Sequence, residues 1–183
     1  MNNPQKILTT LDGFLQNKMR LILYGRAALV LGYHNTPSEY GATMDVDAIL
    51  PLMEMPRLEK NDDFWNALEA TNAKLEHSGL YLTHLFAEDQ VILSKNWLDH
   101  LVPIHFPSSH LYLFRPSTTD LILTKMMRVD PHDRDDIAFL LTQNDANLPT
   151  LNKMIENAIV PDIPELHEAF RSNTKWLKEL LSD

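Results

Sequence analysis

The sequence predicts an α/β (α+β) fold with a C-terminal helical part, on three observations. The apolar run at residues 21–24 breaks at Gly25 into a stretch of small residues. A second extended run carries Asp45 and Asp47 in alternation with Val46 and Ala48. After Arg115, short β-type segments give way to helical periodicity. The expected partition is an α/β core over residues 1–115 and a helical part over residues 116–183 packed on it.

Each element has a local cause. In residues 4–16, Ile7, Leu8, Leu11 and Leu15 recur at helical spacing and make one apolar face. Residues 20–24 form a strand and residues 27–32 a short buried helix, and the loop at 34–43 holds the turn formers Pro37 and Gly41. The acidic strand follows and ends at Pro51. In residues 62–77, Phe64, Leu68, Thr71 and Leu75 share a helical face that Asp62 or Asp63 can start. Residues 80–86, 90–93, 101–106 and 112–115 are short, branched or aromatic, and separated by turns, so they read as strands. Ser117 and Asp120 make a helix-start pattern before Leu121, Ile122 and Met126. Pro131 interrupts, and Asp133 restarts a helix through Ile137, Leu140 and Leu141. A third helix is expected at 151–158, and a last one after Pro164 with Leu166, Phe170, Leu177 and Leu180 in one stripe.

Composition excludes several classes. The chain of 183 residues is 44% hydrophobic and 22% charged, as in ordinary globular proteins. It has no cysteine, hence no disulfide framework, no thiolate zinc site and no cysteine nucleophile, which fits a cytoplasmic protein. The start, MNNPQKILTT, lacks a basic-then-apolar signal pattern, and the longest apolar stretch, 13 residues containing Arg26, is too short for a membrane helix. A formal charge of −9 opposes broad binding to nucleic acid, which leaves a local patch built from Arg26, Lys125, Arg128 or Arg134. His100, His105 and His110 recur every five residues, a spacing that suits neither a helical pair nor the usual zinc motifs.

Chemistry concentrates in residues 21–50. Side chains two apart on a strand share a face, so Asp45 and Asp47 present paired carboxylates that repel unless a cation lies between them. Such a pair suits Mg²⁺ or Mn²⁺. Gly25 serves either as a plain sharp turn or as a place where a phosphate approaches free N–H groups at a helix start, with Arg26 adding charge. Asp133 and Asp136 read equally as helix-capping acids.

The strand, Gly25, small-residue helix, loop and Thr43-x-Asp45-x-Asp47 together resemble the nucleotidyltransferase superfamily. Leu113-Phe114-Arg115-Pro116, then Lys125 and Asp133-Arg134-Asp135-Asp136-Ile137, is similar to the second half of the AbiEii-type toxins and their bacterial relatives. The resemblance covers roughly residues 20–141 and implies a mixed sheet flanked by helices. It also implies an enzyme that moves a nucleotidyl group from a nucleoside triphosphate to an acceptor hydroxyl on RNA, protein or a small molecule, with an antitoxin as partner. Carried over, Gly25, Arg26, Thr43 and Arg128 serve the nucleotide, Asp45 and Asp47 ligate the metal, Lys125 neutralises phosphate charge, and Asp133 or Asp136 completes the second motif. Two departures stand out. Arg26 replaces the usual small second residue of the turn, and the later strands offer His84 and His105 where many members carry a third acid. They leave open a fold that has lost catalysis and acts as a binding or regulatory module. A third reading makes the chain a protein-interaction domain that docks through its C-terminal amphipathic helices.

Overall fold

The computed structural model describes residues 1–143 and 148–181 and divides into two units. Unit 1 comprises Met1–Ala87 and Val102–Arg115, and unit 2 comprises Glu88–Leu101 and the chain from Pro116 onward. The sequence partition placed Glu88–Leu101 in the core, whereas this segment groups with the C-terminal helices. Along the chain, α1 (Asn3–Phe14), β1 (Met19–Tyr24), α2 (Gly25–Gly32), β2 (Asp45–Leu50), α3 (Met55–Leu58), α4 (Asp62–Leu75) and β3 (Tyr81–Ala87) come first. Then follow β4 (Leu93–Ser94), β5 (Val102–Ile104), β6 (Leu111–Arg115), α5 (Thr118–Lys125), α6 (Pro131–Leu141), α7 (Leu148–Glu156), β7 (Ala158–Ile159) and α8 (Pro164–Leu180).

Unit 1 is a five-stranded mixed sheet in the order β3-β2-β1-β6-β5, flanked by helices. Strand β1 runs antiparallel to β2 and parallel to β6, β2 runs parallel to β3, and β5 runs antiparallel to β6. Residues paired across strands share a face. One face therefore carries Leu21, Leu23, Val46, Ala48, Leu82 and Leu113, all buried, and α1 and α4 pack on β2 and β3. The other carries Arg20, Ile22, Tyr24, Asp45, Asp47, Ile49, His84, Phe86, Tyr112 and Phe114.

Two carboxylates tie helices to loops. Asp12 on α1 accepts hydrogen bonds from the backbone N–H groups of Ser109, His110 and Leu111 at 2.7–2.9 Å, fixing the turn into β6. Burial raises the Asp12 pKa, but these three donors outweigh it and hold the carboxyl below its usual range. Asp63 on α4 likewise accepts from the N–H groups of Gln16 and Asn17 ahead of β1. At the start of α1, Asn2 and Gln5 exchange side-chain-to-backbone bonds in a capping box.

Several boundaries differ from the sequence expectation. The strand expected at 101–106 is reduced to β5, an edge strand, because Pro103 brings no N–H to a ladder. The one expected at 90–93 is a 3-10 turn at Glu88–Gln90 followed by β4, which pairs with β7. Pro131 does not interrupt a helix but opens one: it occupies the first turn of α6, and Asp130, not Asp133, is the N-cap, accepting from His132 N–H at 2.8 Å. The buried stripe of α8 runs through Ala169, Asn173 and Leu177, with Leu180 exposed.

Unit 2 holds together through buried polar contacts as well as apolar ones. Ser117 caps α5 by accepting from Asp120 N–H at 3.1 Å, and the buried Asp120 carboxylate accepts from Ser117 Oγ at 2.7 Å and from Ser94 N–H on β4 at 2.8 Å. The buried Asn173 amide donates to the Met126 and Arg128 carbonyls at 3.2 and 2.9 Å, satisfying backbone acceptors beyond the end of α5. Among the described residues no helix is long and apolar enough to cross a membrane.

Candidate functional site

The mixed face of the unit 1 sheet gathers the acids that the sequence singled out. Asp45 and Asp47 lie on β2 with Val46 and Ala48 turned into the core, as the alternation requires. Thr43, at the end of the 3-10 turn Ser38–Ala42, donates its Oγ1 hydrogen to Asp45 Oδ1 at 2.8 Å and so orients that carboxylate. Asp47 Oδ1 lies 3.1 Å from His84 Nδ1.

His84 reaches Asp47 because the β2/β3 ladder slips there. Val46 pairs with Leu82, but the next residue, Asp47, pairs with His84, so Thr83 is an extra residue on β3. This is a β-bulge, a device that re-aims a side chain. Its effect is visible in the exposure of both Thr83 and His84. One donor atom each from Asp45, Asp47 and His84 all lie within 4.8 Å of one another. Two carboxylate oxygens and an imidazole nitrogen on an open face suit a divalent cation: the acids supply hard ligands and negative charge, and the imidazole supplies a borderline one.

Gly25 adjoins the same group. Its φ is +64°, and a Cβ built there would lie 3.2 Å from Asp47 Oδ2, so the turn needs glycine both for its backbone and for its closeness to the carboxylate. No side chain caps the first turn of α2, whose N–H groups begin beside Asp47. Arg26 in that turn sets its guanidinium 4.7 Å from the Tyr40 ring centroid. Unit 1 thus brings Gly25, Arg26, Thr43, Asp45 and Asp47 onto neighbouring elements at the end of β1 and the start of β2.

A family model described as a nucleotidyltransferase of unknown function (DUF6036) matches residues 6–179. The chain belongs to this nucleotidyltransferase family. No curated protein and no solved structure matches it. The match supports the superfamily that the sequence resembles and does not single out the AbiEii-type branch.

The remaining predicted residues of this nucleotidyltransferase lie in unit 2. Lys125 near the end of α5 donates to Asp133 at 2.9 Å and pairs with Asp136 at 2.6 Å, and Arg128 also pairs with Asp133. The Lys125 side chain is 11% exposed, Asp133 4% and Asp136 1%, so the two Lys125 pairs are desolvated and join α5 to α6, while Arg128 is exposed. Burial raises the Asp133 pKa, but the Arg128 and Lys125 contacts prevail and hold it below the usual carboxylate value. Asp133 is therefore an ion-pair partner and not the helix cap. Arg134 stacks 4.9 Å from the Trp176 ring centroid.

The sequence does not single out His84 as a ligand; the signal that marks it is the Thr83-His84 pair, two consecutive polar residues breaking strand alternation. Nor does it single out Gly32. A Cβ there would fall 2.5 Å from Arg115 Cδ, so the missing side chain makes room for Arg115, whose guanidinium lies 4.1 Å from the Tyr33 ring centroid.

Proposed function

We propose that the protein is a metal-dependent nucleotidyltransferase that takes a nucleoside triphosphate and moves its nucleotidyl group to an acceptor hydroxyl. The observation that carries this reading is the Asp45–Asp47–His84 group beside the uncapped, glycine-started turn of α2, in a chain of a nucleotidyltransferase family. In this reading the α2 N–H groups and Arg26 hold phosphate oxygens, Thr43 orients Asp45, and Asp45, Asp47 and His84 hold Mg²⁺ or Mn²⁺. A bound cation supplies charge neutralisation on the phosphates and orientation for in-line displacement. The acceptor oxygen bonds to the α-phosphorus, the bond from that phosphorus to the bridging oxygen breaks, pyrophosphate leaves, and the hydroxyl proton passes to solvent.

The roles that the resemblance implies for Lys125, Arg128, Asp133 and Asp136 are part of the proposal, and sequence similarity supports them. A toxin role with an antitoxin partner rests on the AbiEii-like second half alone. Its check is growth arrest on expression of the chain without a partner, relieved by Asp45→Ala/Asp47→Ala.

The decisive experiment incubates the purified protein with α-labelled nucleoside triphosphates, Mg²⁺ or Mn²⁺, and RNA or the protein itself. Label is expected on an acceptor, and none with Asp45→Ala/Asp47→Ala; transfer that survives the double substitution would falsify the site. One observation favours a second reading, a binding module without catalysis: Arg26 stands where the resemblance calls for a small residue, laid over Tyr40. Calorimetry that finds neither metal nor triphosphate binding at millimolar ligand selects the module.

A further inference from the structure

The face that carries Asp45, Asp47 and His84 continues toward the other end of the sheet. There a cavity of about 430 Å³ is lined by Lys18, Arg20, Arg57, Asn61 and Tyr112 over a floor that includes Ile22 and Ile49. Register places it on the face of the acids: Tyr24 pairs with Asp47, Ile22 with Ile49, and Arg20 with Tyr112. From Tyr24 back to Arg20 is four strand residues, roughly 13 Å.

The charge of this cavity runs against that of the chain. The sequence carries 25 acids and 16 lysines and arginines, yet three cations meet here with one acid, Glu54, which pairs with Arg20. Among the described residues, neither Lys18 nor Arg57 meets a carboxylate. Lys18 Nζ lies instead 5.4 Å from the centroid of the Tyr112 ring, which is 46% exposed. Between cavity and acids the face is aromatic. Arg20 lies 6.0 Å from the Phe114 centroid, Tyr24 meets Phe86 edge-on at 5.9 Å, and Phe86 stacks on His84 at 5.5 Å. Cations that take phosphates, interleaved with rings that take bases, are the two elements of a single-strand nucleic-acid track.

We propose that this face binds the acceptor of the transfer and that the acceptor is a single-stranded polynucleotide. A phosphate sits between Lys18 and Arg57, a base stacks on Tyr112, and the strand runs past Phe114, Tyr24 and Phe86 to present its terminal hydroxyl at the acids. The span of roughly 13 Å selects a chain of several units over a small molecule. The inference rests on the nucleotidyltransferase reading for the word acceptor, but the binding itself needs neither metal nor triphosphate.

The test is fluorescence anisotropy of a short, unstructured, end-labelled oligoribonucleotide with the full chain, over a range of salt and without metal or nucleotide. Lys18→Ala/Arg57→Ala is expected to weaken binding about tenfold or more and, by releasing the one phosphate held between them, to flatten the slope of log K against log salt by about 0.7. Tyr112→Ala is expected to weaken it about fivefold or more. Asp45→Ala/Asp47→Ala is expected to bind at least as well as the wild type. Lys6→Ala/Lys74→Ala removes equal charge elsewhere on unit 1 and should change little. Equal weakening by that control, no effect of Lys18→Ala/Arg57→Ala, or no binding by the wild type each overturns the proposal. So does a labelled-triphosphate assay in which label accumulates on protein and not on the oligonucleotide. If no acceptor is labelled while the binding contrast holds, the track is supported and the transferase reading alone fails.

Discussion

At the scale of single residues, the site depends on one backbone conformation and one ring. Gly25 occupies the left-handed region with Asp47 Oδ2 3.2 Å from where a Cβ would stand. Gly25→Ala is expected to cost about 1–2 kcal/mol in backbone strain alone. It also pushes on the Asp47 carboxylate, so metal affinity should fall along with the melting temperature. Calorimetric titration beside thermal unfolding separates the two effects. His84 makes a different prediction. An imidazole beside two carboxylates favours Mn²⁺ over Mg²⁺, because Mg²⁺ prefers oxygen and holds its water tightly. The wild type should therefore bind Mn²⁺ the more tightly, and His84→Ala should narrow that preference while leaving weakened binding of both ions. An unchanged Mn²⁺ to Mg²⁺ ratio in the variant would remove His84 from the ligand set.

At the scale of elements, acids do structural work in two ways, and both were hard to read from the chain. Asp12 and Asp63 accept backbone N–H groups of loops distant in sequence, and Asp133 and Asp136 close on Lys125 between α5 and α6. Asp133→Asn removes the anion that Lys125 and Arg128 contact but leaves Lys125 paired with Asp136, and should cost about 1–2 kcal/mol at neutral pH. The folded Asp133 pKa lies below the unfolded value of about 3.9, so its stabilisation is full above that value and is lost as pH falls through the folded pKa. The stability gap between wild type and Asp133→Asn should accordingly be widest above about pH 4 and shrink in more acid solution, as denaturant melts across that range would record.

What the sequence made legible were features with a local period or cap: the apolar face of α1, the alternation around Asp45 and Asp47, the Ser117–Asp120 helix start, and the change to helices after Arg115. What it hid depended on tertiary pairing. Proline at a helix start looks the same as proline at a helix end until the preceding residue is seen to cap, which is how Asp130 displaced Asp133. The burial of Asn173 on α8 has no local mark, because the carbonyls that it satisfies belong to residues 126 and 128. His84 was hidden by a register slip whose one trace in the sequence is the broken alternation at Thr83-His84.

At the scale of the whole molecule, the balance of charge sets what can associate without a site. With a formal charge of −9, duplex DNA meets net repulsion from most of the surface. Non-specific duplex binding at physiological salt should fall short even of the ordinary range of roughly 10⁻⁴–10⁻⁶ M. A filter-binding or anisotropy titration that found duplex as well bound as single strand would show that charge, and not the cationic and aromatic face of unit 1, governs association.

The bulge at Thr83 has a bearing on which changes of length this chain can accept. In an uninterrupted ladder Thr83 would stand opposite Asp47 and His84 would turn toward the core; with Thr83 as the surplus residue, His84 takes that place. Deleting Thr83 should therefore leave the imidazole opposite the carboxylate and divalent-ion binding within a few fold of wild type, whereas deleting Leu85 should swing Phe86 to the buried side and unfold the edge of the sheet. Shortening a strand at the heart of a candidate active site is ordinarily ruinous. Here β3 carries one spare position, so the strand can lose it and keep the same three candidate ligands opposite one another.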